Sequence, residues 1–209
     1  MSDTNAVRLD AQVRIVGTGL LGASIGLALR SQGIDVALAD SSPSSVHLAS
    51  DLGAGRPAHS DDSPKIIVVC VPPDVTADVI EAELKAFPDA VVTDVASVKL
   101  SPLCQLQARG VDITHYVGGH PLAGHERGGA ISARGDLFIG RPWVVCRDEE
   151  TPAWVLALVE DLVLDLGAVP IEMTPEAHDE AVGLVSHVPQ IVSSLMAKQL
   201  EGASDEAVR

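Results

Sequence analysis

VRIVGTGLLG, residues 13–22, decides the fold. A short apolar run at Val13–Val16 leads directly into the glycine pattern GxGxxG at Gly17–Gly22, and a helical pattern, Leu20–Ser31, follows. A strand, a glycine turn and a helix in that order form the context in which this pattern binds a dinucleotide. Gly17 permits the tight turn, Gly19 lets the backbone approach a pyrophosphate, and Gly22 lets the helix pack closely on the sheet. Thr18, Leu20 and Leu21 complete the turn, and the helix N-terminus offers N–H donors and a positive dipole to an anion. The plainer reading is a glycine-rich turn without a ligand, which the flanking strand and helix argue against.

Two further segments extend this candidate site. Asp40 ends the second apolar run and lies 18 residues after Gly22, close to the spacing at which an acid hydrogen-bonds the adenosine ribose. It favours NAD, because a 2′-phosphate would be repelled by the carboxylate and would call for an arginine where Ser41, Ser42 and Pro43 stand. A solvated strand-end aspartate is the alternative. CVPPD, residues 70–74, ends the run Ile66–Val71, so Val71, Pro72 and Pro73 fall where the strand's carboxyl edge faces a cofactor.

Farther along the chain, β-branched apolar runs (Val36–Ala39, Ile66–Val71, Ala90–Thr93, Val144–Cys146, Val169–Ile171) alternate with helical patterns (Ser44–Leu52, Val75–Ala86, Pro102–Ala108, Pro152–Leu166). That rhythm predicts an α/β fold, a Rossmann-type doubly wound and mostly parallel sheet. The runs are nearly continuous rather than alternating, as expected when helices cover both sheet faces. Residues 118–142, GGHPLAGHERGGAISARGDLFIGRP, break the pattern and read as a long functional loop. After Ile171 the strands stop. Thr174 is a candidate N-cap, and Pro175–Leu200 reads as one long helix with Pro189 as an interior kink. The expected organisation is a dinucleotide-binding domain over residues 10–172 and the start of an all-α domain over 173–209.

Composition limits the partners. A formal net charge of -15 over 209 residues argues against nucleic acid, whose binding needs a basic surface. Three widely spaced cysteines give no disulfide framework and fit a reducing cytoplasm. The polar N-terminus lacks the character of a signal peptide, and no apolar run approaches the roughly 18 residues of a membrane span. His178 and His187 are nine residues apart, which gives no metal-binding spacing on a helix.

Three more segments carry chemistry together: TDVASVK at 93–99, GGHPLAGHE at 118–126 and HDEAVGLVSHVPQ at 178–190. In this order, after a dinucleotide fingerprint, they resemble the prephenate/arogenate dehydrogenases, which join an NAD-binding domain to a helical dimerisation domain. The resemblance covers essentially the whole chain. It implies an NAD-dependent oxidative decarboxylation of prephenate in tyrosine biosynthesis, with arogenate as the alternative substrate and a homodimer as the assembly. A non-catalytic, regulatory NAD-binding module is the alternative from another class.

What the resemblance implies for single residues follows from the same motifs. His120 matches the catalytic histidine, and an imidazole with an ordinary pKa of about 6.5 suits the removal of a hydroxyl proton near neutral pH. Ser97 matches the serine beside substrate and histidine, although by position alone a helix N-cap is equally natural. Glu126 matches a position at the site entrance, and His187 matches the histidine of the SHxP segment near the substrate. Gln190 stands where many relatives carry histidine, so it bears on substrate choice. The family's arginine segment beyond SHxP does not occur before Arg209, so weak turnover is expected of this chain as written. The apolar positions Val182, Leu184, Val185, Val188, Ile191 and Leu195 form a helix face suited to a second subunit.

Overall fold

The computed structural model describes residues 7–124, 128–147, 150–184, 191, 193–195 and 198. Its centre is one sheet built from β1 (Val13–Val16), β2 (Val36–Ala39), β3 (Arg56–Pro57), β4 (Ile66–Val69), β5 (Val91–Asp94), β6 (Tyr116–Pro121), β7 (Pro142–Cys146) and β8 (Val169–Met173), in the order β3-β2-β1-β4-β5-β6-β7-β8. The strands from β3 through β6 are parallel; β7 runs antiparallel to β6, and β8 runs parallel to β7. The order changes direction between β1 and β4. Such a switch opens a crevice at the carboxyl ends of the strands, where ligands of open α/β sheets bind.

The helices are α1 (Leu20–Ser31), α2 (Pro43–Asp51), α3 (Pro73–Ala86), α4 (Leu100–Ala108), α5 (Ala153–Asp165) and α6 (Pro175–Val182). The continuous apolar runs have the cause expected of them. In β4, Ile66 and Val68 join a core with residues of α1 and α5, while Ile67 and Val69 join a second core with Ala77, Ile80 and Leu84 of α3. Both faces are therefore dry, and every side chain of β4 is buried.

Some expectations shift. The stretch 118–142 is not loop throughout, because Gly118–Pro121 completes β6 and a 3-10 turn forms at Ala130–Ser132. Flanked by β5 and β7, the glycines of β6 take up ladder pairing that their composition does not advertise. The two-residue β3 carries no apolar run, and β8 extends to Met173, one residue past the expected domain boundary. Ser42 caps α2 by accepting the Ser45 amide at 3.3 Å, and Thr174 caps α6 by accepting the Ala177 amide at 3.2 Å. Pro152 is itself the N-cap of α5. Pro189 and much of the long helix expected beyond Val182 lie outside the described residues. No helix among the described residues is long and apolar enough to cross a membrane.

Candidate active site

The turn after β1 is shaped by contacts that only glycine tolerates. Gly17 has φ +98°, and a Cβ there would stand 2.3 Å from the Cys70 carbonyl oxygen. A Cβ on Gly22 would stand 2.0 Å from the Gly17 carbonyl oxygen, so α1 lies directly beneath the turn. Gly19 is different: nothing lies within 4 Å of a Cβ built on it. Its outer side is open space, which fits a ligand approaching the backbone. The first turn of α1 carries no acidic side chain to compete with an anion.

Asp40 organises this turn from the end of β2. Its carboxylate accepts the Thr18 amide at 2.7 Å, the Thr18 hydroxyl at 3.0 Å and the Ser42 amide at 2.9 Å. Burial pushes the carboxyl up, but these donors outweigh burial and hold it below the ordinary carboxylate value. Thr18 is thereby turned inward and buried, while Asp40 keeps a place in the cleft wall. Burial, helped by the Asp94 charge, raises the Cys70 thiol far above its usual range, so this part of the wall is neutral.

The cleft has a volume of about 790 Å³ and is lined by Gly17, Gly19, Leu20, Leu21, Asp40, Val71, Pro72, Pro73, Ser97 and His120, among others. The expected cofactor residues and the two expected catalytic residues thus share one cavity, with Thr18 and Gly22 supporting it from behind. Ser97 is not a helix cap, because α4 begins at Leu100 with Lys99 in the cap position. Beyond β6 the chain returns over α1, where the Arg134 amide donates to the Ser24 hydroxyl at 3.0 Å, and Gly128 and Gly129 reach the cleft rim. Glu126, His187 and Gln190 lie outside the described residues.

His120 has partners that the sequence reading left without a role. Its Nδ1 lies 2.8 Å from Nε2 of His178, and Nδ1 of His178 lies 2.7 Å from Oδ1 of Asp179. His178 is wholly buried. The Asp179 carboxylate also accepts the amides of Lys99 at 2.8 Å and Leu100 at 3.0 Å, tying α6 to the start of α4. Burial raises Asp179, but the Leu100 amide, His178 and the Lys99 amide together hold it below the ordinary value. An ionised Asp179 accepts only, so the proton order follows. His178 Nδ1–H donates to Asp179, and with a neutral His178 ring its Nε2 is the acceptor for His120 Nδ1–H.

Sequence reasoning gave His178 and Asp179 no role because it read Pro175–Leu200 as a helix in isolation and His187 as its histidine near the substrate. The HD pair that opens 178–190 was the available signal. Among the described residues no group of three His, Cys, Asp or Glu is arranged to hold a metal ion.

Residues 25–172 match the family profile "Prephenate dehydrogenase, nucleotide-binding domain". The chain belongs to the prephenate dehydrogenase family. Among the relatives of this family member, the probable prephenate dehydrogenase NovF of Streptomyces niveus is 43% identical over 195 residues, which are 93% of this chain and 54% of that protein. The chain thus spans about half the length of that relative. The prephenate dehydrogenase of Aquifex aeolicus, solved in complex with hydroxyphenyl propionate and NAD+, superposes with a TM-score of 0.87 at 29% identity, covering 95% of this chain and 72% of that one. A Synechocystis arogenate dehydrogenase gives a TM-score of 0.78 at 32% identity over 94% of this chain and 72% of that one.

Proposed function

We propose that this chain supplies the NAD site and the catalytic histidine of an NAD-dependent prephenate dehydrogenase. The observation that carries the reading is one cavity shared by the glycine turn, Asp40, Ser97 and His120. The open side of Gly19, the bare N-terminus of α1 and the Asp40 carboxylate fit a dinucleotide with a free ribose 2′-hydroxyl. NAD held there would supply the acceptor for the hydride of the ring carbon that bears the hydroxyl.

The protein's own work is proton transfer and placement. His120 Nε2 takes the hydroxyl proton as the hydride leaves, loss of carbon dioxide from the opposite ring carbon aromatises the ring to a phenolate, and the His120 proton returns to that oxygen to give 4-hydroxyphenylpyruvate. His178 and Asp179 set the tautomer and stabilise the imidazolium formed, the arrangement by which a buried acid supports a catalytic histidine elsewhere. Ser97, on the same wall, orients the hydroxyl. By the family resemblance, Glu126, His187 and Gln190 are the residues that meet the rest of the substrate. Residues 10–172 act as the nucleotide domain, and 173–209 begin a helical one. The exposed Leu184, Ile191 and Leu195 fit a homodimer contact.

The test is absorbance at 340 nm with NAD and prephenate, repeated with arogenate. Reduction of NAD with prephenate is expected; reduction with arogenate alone reassigns the substrate. NAD binding with no turnover of either by the full-length protein defeats the proposal.

A further inference from the structure

Lys99 is among the largest wholly buried side chains of the described structure, at 1% exposure. An ammonium in that position costs several kcal/mol unless it is paired and hydrogen-bonded, and an apolar pair would often stabilise a fold as well. Its environment therefore asks for a reason beyond stability. Nζ pairs with Asp94 Oδ1 and donates to the Gly119 carbonyl at 2.7 Å. Asp94 is equally buried; Oδ1 also accepts the Ala96 amide at 2.7 Å, and Oδ2 accepts the Tyr116 hydroxyl at 2.7 Å.

The chain positions make this pair informative. Asp94 closes β5, Lys99 precedes α4, and Ser97 lies on the short loop that the ion pair ties across. The carbonyl held by Nζ belongs to the residue immediately before His120. At its other end, the Lys99 backbone amide donates to Asp179, which holds His178, which holds His120. The contacts close a ring: Lys99 Nζ, the Gly119–His120 backbone, the two imidazoles, Asp179 and back to the Lys99 amide. Three segments distant in sequence meet in it.

We propose that Lys99 is a positioning residue for the reaction, its side chain and amide gripping both ends of the His120 array so that the Ser97 loop and the imidazole keep a fixed relation. The proposal rests on the reading of His120 as the base. Asp94 serves it by neutralising the ammonium and aiming it at Gly119. The ring also explains why a neutral side chain of similar length would not serve: methionine offers no donor to the Gly119 carbonyl.

The decisive comparison is K99M/D94N against wild type in the full-length protein. Removing both charges leaves no uncompensated ion, the amide oxygen that D94N introduces still accepts from the Ala96 amide, and a melting curve beside wild type checks that the fold is kept. We expect NAD affinity and the KM for prephenate to stay within about threefold, while kcat falls by roughly 10- to 100-fold, the size of one lost orienting bond in the transition state. In [15N]histidine-labelled protein, the proton bridging His120 and His178 is expected as a resolved downfield signal that the double variant loses. A double variant with wild-type kcat, or with that signal unchanged, overturns the proposal and leaves Lys99 a structural ion. Wild-type protein that binds NAD without turnover sinks the proposed function alone; the bridging proton still decides the role of Lys99, because it reports geometry and not rate.

Discussion

Replacing His178 with phenylalanine isolates the contribution of the histidine pair. The two rings meet edge to face with centroids 5.0 Å apart, so His178→Phe keeps the shape of that contact and removes both polar bonds. Asp179 retains the Lys99 and Leu100 amides and does not become a stranded charge. What is lost is the acceptor, 2.8 Å away, for His120 Nδ1–H. In the ground state that is a neutral bond, but once His120 has taken the substrate proton it is a bond to a cation, worth about 1.5–3 kcal/mol. Only its excess over the neutral bond, about 1–1.5 kcal/mol, acts on kcat, which at 1.36 kcal/mol per factor of ten should fall about 5- to 13-fold. KM should hardly move, because the loss is felt in the transition state. Initial rates at 340 nm under saturating NAD, beside a melting curve, make the measurement. A correctly folded variant within about threefold of wild-type kcat would refute the tautomer argument and reduce His178 to a packing residue.

Gly17→Ala forces a side chain into φ +98° and against the Cys70 carbonyl; strain of about 2 kcal/mol or more should lower Tm by roughly 4–8 °C and abolish NAD binding by calorimetry. Asp40→Asn sets an amide N–H against either the Thr18 or the Ser42 donor. The NAD Kd should rise about tenfold, with less discrimination against NADP in the same titration. Asp62 answers to pH. Its bond to Arg56 holds its carboxyl down from 3.8 to about 2, so its folded value lies below its unfolded one. Its stabilisation is complete above the unfolded value and is lost as pH falls through that window. Wild-type Tm should therefore drop more steeply there than that of Asp62→Asn, and parallel curves would contradict it.

Much of the sheet was legible because it rests on local pattern. β1, β2, β4 and β5 are apolar runs buried on both faces, and α1 follows from its glycine fingerprint. β6 was hidden because half of it is Gly118, Gly119 and Pro121, residues that signal loop on their own and become strand only between two neighbours. β3 is too short for any periodicity. At the site, Gly17, Asp40 and His120 announce themselves by motif. The bond between His120 and His178 spans 58 residues, and the ion pair of Lys99 is invisible to spacing arguments, since a lysine opening a helix ordinarily faces water. Tertiary closure supplied what periodicity lacked.

Because β7 doubles back against β6, with Pro121 opposite Trp143, the intervening segment is an excursion whose two feet are stapled side by side. Its returning half is packed, with Phe138 wholly buried against Trp143 and the Arg134 amide on the Ser24 hydroxyl, so a change of length there pulls on α1 and β7 together. The rim of the cleft is thus moored to the same core that carries the imidazole.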